Sequence, residues 1–211
     1  HRFESLLLMN GAILTHSANT NAQVYTLDLH VTKDLIVEPG ATINVDGKGY
    51  SWGNGPGKGI DGINGGGGGY GGDGGNPGMG GSAYGSLTEP TDMGSGGGST
   101  GGYPYSLGSP GGGAVKLHVA RNLVVNGLIS ANGANVESCT YAGYTGGGGA
   151  GGAIWLTAGT LQGDGNITAN GGSGILVCRG SSGGGGRIAI YYENTSFSGT
   201  ISAYPGAGYL Y

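Results

Sequence analysis

Gly111–Gly133, GGGAVKLHVARNLVVNGLISANG, has a pattern that three other parts of the chain repeat, and the predicted fold follows from that repeat. A glycine run leads into apolar residues that alternate with polar ones, and a short turn leads into a second apolar segment. Such alternation predicts strands with one buried face. The pattern returns as GGAIWLTAGTLQGDGNITANG in Gly151–Gly171, as GGGGRIAIYYENTSFSGTISAYPG in Gly183–Gly206 and, without leading glycines, as YTLDLHVTKDLIVEPGATINVDG in Tyr25–Gly47.

Four isoleucines mark the period of this repeat. Ile43, Ile129, Ile167 and Ile201 hold the same place in each copy and lie 86, 38 and 34 residues apart, so the first interval carries an insertion. A period of this length is typical of stacked repeats, in which no unit buries its apolar face alone. The predicted fold class is all-β: a right-handed parallel β-helix or solenoid of about four to five coils. Glycine-rich extended segments, similar to polyglycine II, are expected to pack on its side.

The chain is predicted to be a single domain, residues 1–211. Asn10-Gly11 aligns with Asn126-Gly127, which indicates an N-terminal half-coil. Because His1 is not preceded by methionine, we expect a processed piece of a longer, exported product. The predicted parts are the half-coil at 1–23, coil 1 at 24–49, a glycine-rich insertion at 50–110, coil 2 at 111–145, coil 3 at 146–182 and coil 4 at 183–211.

The alternation also predicts which side chains point inward, since residues two apart share one face of a strand. These are Leu27, Leu29, Val31, Leu35, Val37, Ile43 and Val45 in coil 1; Val115, Leu117, Val119, Leu123, Val125 and Ile129 in coil 2; Ile154, Leu156, Leu161 and Ile167 in coil 3; and Ile188, Ile190, Phe197 and Ile201 in coil 4.

Glycine makes up 55 of the 211 residues, which raises the alternative of a disordered chain. Isoleucine at the same place in four units argues against disorder. The glycine runs are then either slack linkers or ordered, closely packed chains, and their regular placement before strands favours order. We expect the insertion to lie against the side of the fold, with its aromatic residues as packing groups: Tyr50, Trp52, Tyr70, Tyr84, Tyr103 and Tyr105.

Charge and hydropathy exclude two classes of partner. The net charge is −4, and the 8 basic residues are scattered singly, so no positive patch could hold a phosphate backbone. We therefore expect no nucleic-acid binding. No run of 18 apolar residues is present, and so membrane insertion is not expected.

The two cysteines occupy similar places in neighbouring units. Cys139 follows Ala131 by eight residues, and Cys178 follows Ala169 by nine. If neighbouring units stack at the spacing of paired strands, the two loops lie within disulfide reach. The sequence predicts a Cys139–Cys178 bridge and an oxidising compartment, with two buried free thiols as the alternative.

Several motifs in fixed order resemble a known kind of protein. ATINVDGKGY at 41–50, SAYGSLTEPTDMGSGGG at 82–98, the ISANG and ITANG turns and GGGGRIAIYY at 183–192 are similar to the glycine-rich repeat regions of very large exported surface proteins in bacteria and some protists. The resemblance implies an extracellular or cell-surface structural segment. The resemblance assigns a catalytic role to no residue of this sequence.

No pattern indicates an enzyme or a bound cofactor. Polysaccharide-cleaving sites need clustered carboxylates, and here the acidic residues are dispersed, so catalysis is not expected. Asp61, Asn64, Asp73 and Asn76 form two D-G-x-N turns that could hold calcium, although these are also ordinary turn residues. His30 and His118 share an outward position but lack a full zinc ligand set.

Two triplets fit the N-glycosylation sequon, beginning at Asn166 and Asn194. Ile167 points inward, so Asn166 is expected to point outward, and Asn194 is expected in a turn. In a eukaryotic source both would be modified, and the chain would be a glycoprotein.

Two functions remain. The first is an extracellular structural protein whose copies join head to tail into a filament, surface fibre or sheath, because exposed strand edges template association. The expected assembly residues are Phe3, Leu6, Leu8, Ile13, Tyr204, Tyr209 and Tyr211. The alternative is a segment of a large cell-surface adhesin that binds glycans or another partner through its tyrosines.

Overall fold

The structure is a computed structural model that describes residues 1–76, 78–101, 106–139 and 143–208. In this part of the chain a single 3-10 helix covers Leu176–Cys178. The strands are β1 (Arg2–Phe3), β2 (Leu6–Leu8), β3 (Ile13–Leu14), β4 (Leu27–Val31), β5 (Leu35–Val37), β6 (Thr42–Asn44), β7 (Ala114–Val125), β8 (Leu128–Ser130), β9 (Ala153–Gln162), β10 (Asn166–Thr168), β11 (Arg187–Thr195) and β12 (Thr200–Ser202).

The strands form two sheets, and all pairs are parallel. The seven-stranded sheet has the order β1-β4-β7-β5-β2, with β9 on the other side of β7 and β11 on β9. The five-stranded sheet has the order β3-β6-β8-β10-β12. The isoleucines that mark the repeat are direct neighbours in this second sheet, where Ile129 pairs with Ile43 and Ile167 pairs with Ile129 and Ile201.

The predicted fold class is wrong. The sequence predicts an all-β right-handed solenoid of equivalent coils, whereas the described residues form two parallel sheets of seven and five strands, an α/β-type parallel arrangement with almost no helix. The apolar alternation specifies which strands pair, but it says nothing about how the chain returns between them. Here the returning segments bond to several distant parts of the chain, so the repeated units are not equivalent turns of one coil.

The core lies between the inner faces of the two sheets. Every inward residue predicted in the first three units is buried, including Leu35, Ile43 and Ile154 at 0% exposure. In the last unit, Ile188, Ile190 and Phe197 are only partly buried, and Ile201 is exposed. Among the described strands, β11 and β12 have a neighbour on one side only, and so no further strand covers their inner side chains from the other side.

The glycine runs 65–72, 94–98, 111–113, 146–152 and 183–186, here called the glycine layer, are ordered and mostly buried. Their backbones are bonded to one another: Gly68 N–H donates to Gly148 O at 2.9 Å, and Gly184 N–H donates to Gly68 O at 2.8 Å. A Cβ atom on Gly147 would lie 2.0 Å from Gly66 O, so the chains are closer than any side chain permits. Slack linkers would make no such contacts.

The insertion is fastened to the outer face of the seven-stranded sheet. Tyr70 and Tyr84, with ring centroids 4.9 Å apart, pack with Met93 on the buried residues Ala114 and Ala153. Burial raises the pKa of both phenols, which therefore stay neutral. One expected packing group differs, because Trp52 is exposed. Tyr103 and Tyr105 lie outside the described residues.

Arg187 ties the insertion to β11. Its Nε donates to the Tyr84 carbonyl oxygen at 2.9 Å, and its guanidinium lies 5.5 Å from the Tyr70 ring centroid. The insertion thus behaves as part of the folded body.

Candidate functional site

Each sheet has an edge strand on both sides that pairs with one neighbour. Among the described residues, β1, β2 and β3 each pair with one strand only, and so do β11 and β12. We call β1, β2 and β3 the N-terminal edge and β11 and β12 the C-terminal edge. Both edges carry free backbone N–H and C=O groups of parallel strands, which are able to accept a further strand.

The register continues through each sheet as columns of paired residues. One outer-face column runs from Arg2 through His30, His118 and Thr157 to Tyr191. An inner column of the second sheet runs from Leu14 to Ile201, and between them lie Ile43, Ile129 and Ile167. In the second sheet, the C-terminal edge therefore presents the same kind of aliphatic side chain as the strand it would extend.

Four of the predicted assembly residues, Phe3, Leu6, Leu8 and Ile13, lie on the N-terminal edge. Phe3 is exposed in β1, while Leu6 and Leu8 pair with Leu35 and Val37. Tyr204 follows β12 and is 69% exposed. Tyr209 and Tyr211 lie outside the described residues.

Ile13, another expected assembly residue, lies on the outer face of β3. It is 70% exposed and pairs with Thr42, while Leu14 pairs with Ile43 and takes the inner place. The prediction aligned Gly11 with Gly127, and a shift of one residue turns every side chain of a strand to the other face. Gly11 N–H bonds to Gly40 O, and aligning these two glycines instead places Leu14 on Ile43.

The Asn-Gly turns are linked by side chains. Asn132 N–H donates to Asp46 Oδ1 at 2.6 Å, Asn170 N–H to Asn132 Oδ1 at 2.8 Å, and Tyr204 N–H to Asn170 Oδ1 at 2.8 Å. The repeated asparagine thus serves the next turn as a hydrogen-bond acceptor. In the last unit, Tyr204 takes the place of the repeated asparagine, so this series of hydrogen bonds ends at Tyr204.

His16 is a buried ionisable group beside the N-terminal edge. It is 9% exposed, and its Nδ1 lies 2.7 Å from the Ser17 carbonyl oxygen, which can only accept a hydrogen bond. Nδ1 therefore carries the proton, and Nε2 has no hydrogen-bond partner among the described residues. Burial lowers the pKa of His16; the bond to Ser17 opposes this shift, and the charge of Lys48 adds to it.

This lowered pKa predicts acid sensitivity. The unfolded chain binds a proton near the ordinary value of 6.5 while the folded chain still resists it, so the free energy of unfolding should fall as the pH drops below 6.5. Chemical denaturation at pH 7.5 and pH 5 measures the fall. The variant His16→Leu should lose a distinct part of this pH dependence, and an unchanged dependence would contradict the assignment.

The predicted disulfide is present. Cys139 and Cys178 are bonded, with Cα atoms 6.2 Å apart, and Cys178 lies in the 3-10 helix. Of the two sequons, Asn166 is exposed in β10 as expected. Asn194 is also exposed, but it lies in strand β11 and not in a turn.

The four calcium candidates form hydrogen bonds with other groups of the protein. Asp61 Oδ1 accepts from Ser99 N–H and Asp73 Oδ1 accepts from Ala83 N–H, both at 2.7 Å. Asn64 Oδ1 accepts from Thr145 N–H, and Asn76 Nδ2 lies 3.5 Å from Met79 Sδ. Within the described residues, no three His, Cys, Asp or Glu side chains come together as a metal site. These residues connect segments of the insertion and its surroundings.

In the described part of the chain, no helix is long and apolar enough to cross a bilayer. No protein-family model matches the chain, and no curated protein or solved structure matches it at a significant level.

Proposed function

We propose that this chain is an extracellular structural protein whose copies join head to tail through their strand edges to form a filament, surface fibre or sheath. The observation that carries the proposal is the fit between the two edges. Parallel strands add to an exposed sheet edge through backbone hydrogen bonds, and a repeated contact of this kind does not close on itself.

The spacing of residues along the two edges matches. Extending the columns would set Tyr191 of one copy on Arg2 of the next and Thr195 on Leu6. Tyr191 and Thr195 are four residues apart in sequence, and so are Arg2 and Leu6. The seven-stranded sheets would therefore join without a bulge. In the second sheet Ile201 would meet Leu14.

The connection between the sheets differs in length on the two edges. Leu6 and Leu14 are eight residues apart, whereas Thr195 and Ile201 are six apart. The same difference already exists inside the molecule, between Leu35–Ile43 and Leu123–Ile129, whose strands pair directly. The fold thus already pairs strands across this difference in connection length, and the joint would make the same kind of pairing in the reverse order along the stack.

One feature of this register opposes assembly. Glu193 would meet Glu4 of the next copy, whose Oε1 is paired with Lys33 Nζ at 2.5 Å. Like charges placed opposite each other across strands are destabilising, and salt screens them. Assembly should therefore increase with ionic strength.

Electron microscopy with an edge variant tests the proposal. Wild type in 0.15 M salt should form filaments whose axial repeat is about five strand spacings, ~24 Å. Ile201→Lys should abolish them, because the 47% exposed Ile201 would be buried in the joint and a buried charge is costly. Val177→Lys, an exposed apolar site outside both edges, is the matched control and should leave the filaments intact. Monomers of wild type at high concentration would refute the proposal.

The disulfide is compatible with an extracellular or cell-surface location. The proposal assigns no catalysis and no cofactor. The alternative function, a glycan-binding segment of a surface adhesin, is favoured by one observation: tyrosines beside a groove on the outer face of the sheet.

A further inference from the structure

The outer face of the seven-stranded sheet carries a groove across β7, β9 and β11. It is lined by His118, Thr157, Tyr191 and Glu193 and has a volume of about 440 Å³. A second hollow of about 210 Å³ shares His118 and Ala120 with it and continues to Arg2. Together they follow the column from Arg2 to Tyr191, which crosses five strands and spans about 19 Å at the usual strand spacing.

The groove exists because small residues stand beside large ones on the same face. Thr157, His118 and Tyr191 form one row across the strands. Two residues further along the same three strands lie Gly159, Ala120 and Glu193. The small residues form the floor, the larger row forms a wall, and Glu193 bounds the groove at the C-terminal edge.

Tyr191 is held in place by the insertion. Its hydroxyl donates to the Thr88 carbonyl oxygen at 2.8 Å, yet 45% of the residue remains exposed. The ring is thus fixed at its polar end and free on part of its surface. A preorganised aromatic ring loses little conformational freedom when a ligand packs on it.

We propose that this groove binds a neutral polysaccharide that runs across the strands. The Tyr191 ring offers an apolar face to the C–H face of a sugar ring. Glu193 accepts hydrogen bonds from sugar hydroxyls, and His118 and Thr157 can both donate hydrogen bonds to these hydroxyls and accept them. A groove of this size suits a small chain segment, with few polar groups setting its orientation.

The charges at the groove favour a neutral ligand over an acidic one. Arg2 lies at one end, but Glu193 lies at the other, and His30 is 3.5 Å from Asp28. An anionic chain spanning the whole groove would meet the Glu193 carboxylate. Because the groove lies on the outer face of the sheet, binding does not depend on the joining of copies.

Titration calorimetry with cellohexaose, mannohexaose and laminarihexaose, and with an acidic hexagalacturonate, tests this site. At least one neutral hexasaccharide should bind, and Tyr191→Ala and Glu193→Gln should each raise its Kd by about tenfold, equal to ~1.4 kcal/mol. Glu193→Gln keeps the size of the side chain, so it remains informative if Tyr191→Ala disturbs the edge strand. Tyr25→Ala, at a tyrosine that is 49% exposed elsewhere, is the matched control and should leave Kd unchanged.

Three outcomes would overturn the proposal. They are the absence of binding by every neutral hexasaccharide, binding that both groove variants leave unchanged, and binding of the acidic hexasaccharide alone. None of them bears on the filaments, which are observed separately by microscopy.

Discussion

Gly147→Ala is expected to lower the free energy of unfolding by about 3 kcal/mol or more, because its new methyl group has no room in the glycine layer. The added Cβ would lie 2.0 Å from Gly66 O. Gly147 N–H also donates to Gly98 O at 2.8 Å, so the residue cannot move away without breaking a buried hydrogen bond. Chemical denaturation followed by circular dichroism measures the loss.

Gly72→Ala is the matched control within the same layer. Its new Cβ would meet only Gly185 N, at 3.9 Å, which is an ordinary contact, and its φ is not in the left-handed region. Alanine restricts the unfolded chain, so this variant should change stability by less than about 1 kcal/mol and in the stabilising direction. If both variants lowered the free energy of unfolding by the same amount, the loss at Gly147 could not be attributed to close backbone packing.

Removing the disulfide is expected to cost about 4 kcal/mol. Cys139 and Cys178 are 39 residues apart, and the chain-entropy model gives a value of this size for a loop of that length. The double variant Cys139→Ser, Cys178→Ser should therefore melt about 10 °C below wild type. Differential scanning calorimetry measures the shift.

Reduction provides the control for this experiment. A reducing agent should lower the Tm of wild type to that of the double variant and should leave the variant unchanged. A wild-type Tm that does not respond to reduction, in protein whose free thiols have been counted, would show that the bond contributes nothing to stability.

The glycine layer and the disulfide stabilise this glycine-rich chain in different ways. The apolar core uses few large residues, and so much of the chain is glycine that ordering it carries a high entropic cost. Close backbone contact in the glycine layer supplies hydrogen bonds that satisfy buried amides. The disulfide acts on the unfolded state, which it makes less disordered.

Features that depend on local pattern could be predicted from the amino-acid sequence alone. The alternation in Ala114–Val119 and its copies was sufficient to predict the buried faces of the first three units, because the period of a strand is two. The matched isoleucines predicted which strands pair. The similar places of Cys139 and Cys178 predicted the disulfide, since pairing brings equivalent loops together.

Features that depend on contacts between residues far apart in sequence could be identified only in the folded chain. The fold class was predicted wrongly because glycine carries no side-chain pattern, so the partners of Gly68 and Gly147 cannot be identified from sequence. The inward place of Leu14 depends on the length of the turn before it, which determines the register. The groove beside Tyr191 forms only when residues of three strands and Thr88 of the insertion are brought together, which no local pattern encodes.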